Sequence, residues 1–320
     1  MLPSAVPDRT VTARWTRRFL QARALALLLA RAAIAAWPVQ RWRDREEETR
    51  LREIHTLTGR VERHPDFRSA LLGTTRRVWV YLPPQYPREP ERRFPVLYLQ
   101  DGQNVFDGAT AFLAGKEWQA DEAVERLARE GRIEPLIVVA VDNGGERRVV
   151  EYTPTRSARA PDGGGADLYG RMLVEELKPW VDRTYRTRPG RGHTGIGGSS
   201  LGGLVSLYVG LGHPDVFGRV AALSTSAWWD ERFIVRFVDA LPARPDTRVW
   251  TDIGTSEGSA AVRDARALRD ALVRKGWREG ADLRYLEAER APHDETAWAK
   301  RMPAVLEFLF PAGAGLDTGS

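Results

Sequence analysis

Short apolar segments alternate with longer amphipathic segments from about residue 56 to residue 310. The short segments are rich in β-branched and aromatic residues, and several are nearly continuous apolar runs, as expected of strands buried on both faces. Predicted strands cover residues 57–61, 76–82, 95–100, 136–141, 194–198, 220–223, 249–253 and 283–286, and predicted helices cover residues 117–130, 167–185, 201–211, 233–241, 261–275 and 295–310. This alternation predicts one α/β domain with a mostly parallel central sheet that helices cover on both faces.

The first 55 residues differ in composition from the rest of the chain. An Ala/Leu-rich run from Ala24 to Ala36 follows several arginines. One interpretation is an export signal with a small-residue cleavage site at residues 33–35 and a twin-arginine-like segment at residues 16–20. Arg31 interrupts the run, which is also shorter than the roughly 20 apolar residues of a membrane span. We therefore expect an Ala/Arg-rich extension on a cytoplasmic protein without stable membrane insertion; export is the alternative.

These features predict three regions. Residues 1–55 form the N-terminal extension, residues 56–311 form the α/β domain, and the Gly-rich residues 312–320 form a disordered tail.

Charge and composition exclude several classes of function. Residues 1–60 contain 12 Arg against 6 Asp and Glu, whereas the rest of the chain has 36 basic and 37 acidic residues. The predicted domain therefore has no excess of positive charge with which to bind nucleic acid. The chain has no cysteine, which excludes thiolate catalysis, thiolate metal sites and disulfides. We find no cluster of metal-ligating residue types along the sequence and expect neither a metal nor a cofactor.

The segment Gly198–Gly202 lies between a predicted strand and a predicted helix and reads Gly-Ser-Ser-Leu-Gly. It matches Gly-x-Ser-x-Gly, in which a sharp strand-to-helix turn exposes a nucleophilic serine and flanking small residues let the chain pass closely. Ser200 holds the central position, whereas a nucleophilic Ser199 would have Leu201 where a small residue is needed. The glycine spacing does not fit a dinucleotide-binding loop. The sequence predicts Ser200 as nucleophile, with a glycine-rich packing turn as the alternative.

A serine nucleophile needs a base, usually a histidine that a carboxylate orients. In a fold of this type the order along the chain is serine, acid, histidine, each in a loop after a later strand. Of the five histidines, His293 alone follows the last predicted strand and precedes the last predicted helix. His293 is therefore the predicted base, and the alternative is a polar residue near a helix N-cap.

Two carboxylates compete for the role of the acid. Glu257 lies in the loop that follows the strand at residues 249–253, and Asp252 lies within that strand, one step before its end. Because loops after parallel strands point toward the site, Glu257 is the better candidate. A serine–histidine dyad without an acid also remains open.

The oxyanion of a tetrahedral intermediate needs two preorganised N–H donors. The backbone N–H of Leu201, directly after the nucleophile at a helix N-terminus, is one candidate. The second is expected from the loop at residues 101–106, where Gly102 permits a close approach and Gln103 is the predicted donor. An ordinary turn at Asp101-Gly102 is the alternative.

Substrate contacts are predicted for a further set of residues near these loops. Trp228 and Trp229 follow the strand after the nucleophile helix and could stack on a sugar or aromatic group, and Arg148 could neutralise an acidic substrate. Core packing for the tryptophans and a solvated charge for the arginine are the alternatives. The full predicted substrate set is Asp101, Gly102, Asn104, Arg148, Trp228 and Trp229.

Taken together, these motifs resemble those of the putative esterase family of α/β-hydrolases, which includes esterase D, enterochelin-type siderophore esterases and feruloyl esterases. The resemblance extends from about Thr56 to Phe310, and Asp101-Gly102 makes it strongest for the siderophore-esterase-like branch. The segments that carry it are Leu97–Gly102, Asp142–Gly145, Glu151–Pro154, Gly197–Gly203, Gly254–Glu257 and His293–Glu295 with Trp298. Many members of the family have Asp where Glu257 stands.

The resemblance implies an α/β-hydrolase fold and a serine-dependent carboxylic-ester hydrolase that acts on a small-molecule ester through a Ser-His-Glu triad. The substrate could be a siderophore-type, carbohydrate-linked or short acyl ester. Two alternatives share the same fold: an acyltransferase that uses the same triad, and a non-catalytic binding protein.

Overall fold

The computed structural model describes residues 45–158 and 161–313. Contacts divide the chain after Glu53 into two units. In the first unit, residues 45–52 are helical (α1). Residues 1–44 of the predicted N-terminal extension, which include the alternative export signal, and residues 314–320 of the predicted tail lie outside the described residues. Within the described residues, we find no helix with the length and apolar character that crossing a bilayer requires.

The second unit, which begins at Ile54, contains an eight-stranded sheet with the order β1-β2-β4-β3-β5-β6-β7-β8. Strands β1 and β2 are antiparallel to each other, and β2 is antiparallel to β4; all other neighbours are parallel. The strands are β1 Arg60–Ser69, β2 Thr74–Leu82, β3 Val96–Gln100, β4 Ile137–Val141, β5 Thr194–Ser199, β6 Arg219–Leu223, β7 Arg248–Gly254 and β8 Leu283–Ala288.

Helices lie between most successive strands and after β8, and strands that pair in parallel need such crossover connections. They are α2 Gln85–Arg88, α3 Ala120–Arg129, α4 Arg148–Tyr152, α5 Ala166–Arg171, α6 Lys178–Thr184, α7 Leu201–Gly212, α8 Trp229–Ala240, α9 Ser259–Lys275 and α10 Glu295–Leu309. This alternation confirms the predicted α/β class with a mostly parallel sheet.

The core lies on both faces of the sheet because successive side chains of a strand point to opposite faces. In β3, Val96 and Tyr98 pack into one apolar cluster, whereas Leu97 and Leu99 pack into the other. Helices α5 to α9 cover the first face, and α3 and α10 cover the second. The central strands are buried on both faces, which explains their continuous apolar sequences.

The first predicted strand differs most from its bounds in the structure. The first strand, predicted at residues 57–61, is β1 at Arg60–Ser69, and its register shifts between His64 and Phe67 around Pro65. Its length comes from pairing with β2, which the local sequence does not reveal. Residues 230–232 in α8 have left-handed backbone angles, so regular helix begins at Phe233, as predicted.

The helix predicted at residues 167–185 is interrupted. A π-helical turn, Met172–Leu177, separates α5 from α6. Pro179 lies in the turn that follows. Because proline has no N–H and its ring crowds the carbonyl one turn earlier, regular α-helical bonding cannot continue through it.

Candidate active site

The nucleophile turn joins β5 to α7 at Ser200. Its backbone has φ 57° and ψ −122°, a conformation that costs energy in a residue with a side chain. Hydrogen bonds fix it: Ser200 N donates to Leu223 O at 3.0 Å, and Ser226 N donates to Ser200 O at 3.0 Å. A Cβ on Gly198 would lie 2.5 Å from Gly202 O, so the crossing of strand and helix requires glycine there. The turn has the geometry that the Gly-x-Ser-x-Gly pattern predicts.

His293 and Glu257 meet at the carboxyl edge of the sheet. His293 Nδ1 lies 2.6 Å from Glu257 Oε2. Glu257 Oε1 also accepts hydrogen bonds from Gly254 N and Ser224 Oγ, both at 2.7 Å. Burial opposes ionisation, but the hydrogen bonds from His293, Ser224 and Gly254 outweigh it and hold the pKa of the Glu257 carboxyl below its ordinary value. Glu257 is therefore an ionised carboxylate in direct contact with the imidazole.

Asp252 faces away from the histidine. It is fully buried, and its carboxylate accepts from Ser224 N at 2.9 Å and Trp250 Nε1 at 2.8 Å and pairs with Arg301 Nε at 3.3 Å. Burial raises the pKa of this carboxyl. Of the two candidate acids, Glu257 contacts His293 and Asp252 contacts Arg301.

A cavity of about 200 Å³ brings Ser200 and His293 to one surface. Within residues 45–158 and 161–313, the hydrogen-bond partner of Ser200 Oγ is Ser226 Oγ, at 3.3 Å, and not His293. Either hydroxyl can be the donor in this hydrogen bond, because a serine hydroxyl can both donate and accept. In this structure Ser200 and His293 share a cavity but not a hydrogen bond.

The loop after β3 forms the opposite wall of the same cavity. Asp101 has left-handed backbone angles, and Gln103 and Asn104 line the cavity. Gln103 Oε1 accepts from Asn143 N at 3.3 Å. Across the cavity Leu201 begins α7, where the first N–H groups of a helix have no intrahelical partner. Both predicted oxyanion donors thus lie in chain segments that reach the cavity of Ser200.

Replacing Gly102 by alanine should disable this loop. A Cβ there would lie 2.7 Å from the carbonyl carbon of Val141, so the loop would have to move. Because loss of one oxyanion donor costs about 10²–10³ in kcat, we expect kcat to fall about a hundredfold with KM little changed. Gly190→Ala is the control, since its Cβ meets nothing within 4 Å. Wild-type ester turnover by Gly102→Ala would contradict a role for the loop.

A family model described as Putative esterase matches residues 69–309 of the chain. The chain belongs to this family. The match confirms the resemblance drawn from the motifs, and the protein is a carboxylic ester hydrolase that acts on a small-molecule ester.

Two relatives and a solved structure agree with the family match. The esterase is 27% identical over 249 residues to the uncharacterized protein YbbA of Bacillus subtilis, across 73% of this chain and 92% of YbbA. It is 31% identical over 165 residues to the ferri-bacillibactin esterase BesA of the same organism, across 47% of this chain and 54% of BesA. The chain thus matches about half the length of BesA. The BES protein from Bacillus cereus has a TM-score of 0.63 at 24% identity, across 79% of this chain and 96% of that one. This likeness confirms the α/β-hydrolase fold.

Arg148 does not offer a free charge to the substrate of this esterase. Its Nε and Nη2 donate to the two carboxylate oxygens of Asp101 at 2.7 and 2.8 Å. Asn143 Nδ2 adds a third donor to Asp101, at 2.7 Å. Both predicted substrate residues line the cavity, but they face each other. Their bidentate pair fixes the loop that carries Gly102 and Gln103.

The two predicted tryptophans lie elsewhere. Trp229 is 3% exposed, and its Nε1 donates to Thr155 O at 3.1 Å, so it belongs to the core. Trp228 is 43% exposed and lines a separate cavity of about 460 Å³ with Asp230, Glu231 and Asp264. In the part of the chain that the structure describes, neither tryptophan lines the cavity of Ser200.

Five lining residues of the cavity lie outside the predicted site set: Phe112, Asn143, Ser199, Glu295 and Trp298. Asn143 directly follows Asp142 at the end of β4, and Glu295 begins α10. Phe112 is 76% exposed, and its N–H donates to Asn104 Oδ1 at 2.8 Å. A polar residue just after a parallel strand is a signal that could have found Asn143. No sequence signal marks Phe112.

Three carboxyl groups cluster near the N-terminus of α3, which residue spacing did not indicate. Ligand oxygens of Glu117, Asp121 and Glu122 lie within 4.8 Å of one another. Burial raises the pKa of Glu117 to about 7, and burial together with a hydrogen bond to Glu122 raises the pKa of Asp121. Thr58 N donates to Asp121 at 2.6 Å. Glu117 and Asp121 therefore retain protons at a pH where exposed carboxyls have lost them, and Asp121 holds the chain before β1 against α3.

Proposed function

We propose that this esterase hydrolyses its substrate through an acyl-enzyme on Ser200, with His293 as the general base and Glu257 as the acid that orients it. The observation that carries the proposal is the 2.6 Å contact between His293 Nδ1 and Glu257, beside a cavity that Ser200 also lines. Because the carboxylate takes the hydrogen of Nδ1, Nε2 is the basic nitrogen. His293 is 43% exposed and Glu257 is 3% exposed, so the imidazole reaches the cavity while its partner stays buried.

The reaction proceeds in two halves. Ser200 Oγ turns from Ser226 toward Nε2 and attacks the ester carbonyl carbon, and Nε2 takes the hydroxyl proton. The N–H groups of Leu201 and Gln103 bind the oxyanion. The bond to the alcohol oxygen then breaks as His293 returns the proton to that oxygen. In the second half, water attacks the acyl-enzyme with His293 again as base and releases the acid.

The cavity favours a compact polar ester. Its volume of about 200 Å³ is small for a ligand site. Most of its lining residues have polar side chains, and Phe112 and Trp298 are the large aromatic ones. BesA, one of its relatives, is a ferri-bacillibactin esterase. We infer that short polar acyl esters are better substrates than long-chain esters, and that a siderophore-type ester would place only the part around its scissile bond in the cavity.

The proposal is tested by labelling and by burst kinetics on the full-length protein. A fluorophosphonate probe should label one serine, in the tryptic peptide Gly192–Arg219. Hydrolysis of p-nitrophenyl acetate should begin with a burst of one p-nitrophenol per enzyme, because the acyl-enzyme forms before water releases it. p-Nitrophenyl acetate and a catecholate trilactone should be cleaved faster than p-nitrophenyl decanoate.

Each outcome that contradicts the proposal points to a different alternative. Labelling outside Gly192–Arg219, or an absence of labelling with turnover intact, would contradict the serine mechanism. A protein that neither labels nor cleaves any ester of the panel would be a binding protein. If an added alcohol takes the acyl group in place of water, product analysis would reveal acyl transfer on the same serine.

A further inference from the structure

Ser224 lies beneath the triad acid, directly after β6. It is buried, and its backbone has a φ of 41°, a left-handed value that non-glycine residues seldom adopt. Its backbone N–H donates to Asp252 Oδ1 at 2.9 Å. Its side chain points toward Glu257, with Oγ 2.7 Å from Oε1. A strained residue held in this way suggests a role in the site.

The hydroxyl of Ser224 has its full set of hydrogen bonds. Trp298 Nε1 donates to Ser224 Oγ at 2.9 Å, and Arg301 Nη2 donates to it at 2.8 Å. A hydroxyl has two lone pairs and one hydrogen. Because the two nitrogen donors occupy both lone pairs, the hydrogen must point to Glu257. The serine therefore donates to the triad acid in one fixed direction.

The chain of contacts continues to a buried ion pair. Arg301 is 4% exposed, and its Nε lies 3.3 Å from the fully buried Asp252. The titratable or charged groups around Glu257 are thus His293 on one side and, through Ser224, Arg301 and Asp252 on the other. Arg301 polarises the serine hydroxyl and so strengthens its hydrogen bond to the carboxylate.

We propose that Ser224 is a positioning residue for catalysis: its hydroxyl, oriented by Trp298 and Arg301, holds Glu257 ionised and aligned on His293 Nδ1. This inference rests on the proposed Ser200 mechanism. It also gives Asp252 a function in the site, as the counter-charge of the arginine that orients Ser224.

The test compares Ser224→Ala with Ser224→Gly. Both remove the hydroxyl, and glycine also relieves the positive φ, so at least one variant is expected to fold. We expect kcat for p-nitrophenyl acetate to fall about tenfold to a hundredfold with KM within twofold, because the buried carboxylate loses a donor. The pKa of Glu257 should rise, and the carboxylate should hold the imidazolium more tightly. The acid limb of kcat/KM should therefore move to higher pH.

Ser206→Ala is the matched control. Ser206 is fully buried on α7, and its hydroxyl has no hydrogen-bond partner among the described residues. Its removal should leave kcat and the pH profile unchanged.

Three results would overturn the inference. The inference fails if both Ser224 variants have the wild-type kcat and the wild-type pH profile. It also fails if kcat falls only in proportion to the fraction of folded protein and the acid limb of kcat/KM does not move. If Ser200→Ala is inactive and the Ser224 variants match wild type, this inference alone fails. If Ser200→Ala keeps its activity, the proposed mechanism fails and this inference with it.

Discussion

Replacement of Ser200 by alanine is expected to lower kcat for p-nitrophenyl acetate by about 10⁴- to 10⁶-fold. The hydroxyl oxygen is the atom that becomes acylated, and the neighbouring Ser226 Oγ, at 3.3 Å, belongs to the loop after β6 and not to the turn between β5 and α7. Serine and alanine both carry a Cβ, so the strained turn at φ 57° is the same in both proteins. Residual activity should come from binding and the oxyanion donors alone.

Ser199→Ala is the control for this substitution. Ser199 is the last residue of β5 and also lines the cavity. Its substitution therefore tests whether the neighbouring serine hydroxyl, and not that of Ser200, is needed for turnover. We expect it to lose less than about tenfold in kcat, within the range of a single neutral contact. Urea unfolding of both variants separates chemistry from folding. Turnover that survives in Ser200→Ala and disappears in Ser199→Ala would transfer the nucleophile to Ser199.

The nucleophile turn could be predicted from sequence because its constraints are local. The close crossing of β5 and α7 requires small residues at fixed spacing, and those glycines are visible in the sequence. The loops with Glu257 and His293 could be predicted because carboxyl ends of parallel strands meet at one edge of the sheet. The same rule placed Asp101 and Gly102 beside them.

Side-chain pairing could not be predicted, since it depends on packing between segments far apart in the chain. Arg148 and Asp101 are 47 residues apart, and each looked available to a substrate until the fold brought them together. Trp228 and Trp229 are neighbours in sequence, but α8 buries one and exposes the other. Ser224 gave no signal because its role depends on Trp298 and Arg301, which lie one turn apart on α10.

Glu257→Gln is expected to lower kcat by about 10⁴-fold, through the tautomer of His293. In the native protein Oε1 accepts from Gly254 N–H and Ser224 O–H. A glutamine would place its carbonyl oxygen there, because its NH₂ cannot accept hydrogen bonds. The NH₂ would then face Nδ1, which must become an acceptor, and the imidazole hydrogen would move to Nε2. A histidine with its hydrogen on Nε2 cannot take the proton of Ser200.

Asp252→Asn provides the matched comparison. It leaves the contact of Glu257 with His293 intact but removes the charge opposite Arg301. Its main effect is therefore expected to be a lower free energy of unfolding. Breaking a buried ion pair costs about 3–5 kcal/mol, which urea unfolding would detect. Its kcat should fall by no more than that of the Ser224 variants, because it acts on Glu257 only through Arg301 and Ser224. If Asp252→Asn instead loses more kcat than Glu257→Gln at equal folded fraction, the orienting carboxylate is Asp252, and the 2.6 Å contact between His293 and Glu257 is not the one that catalysis uses.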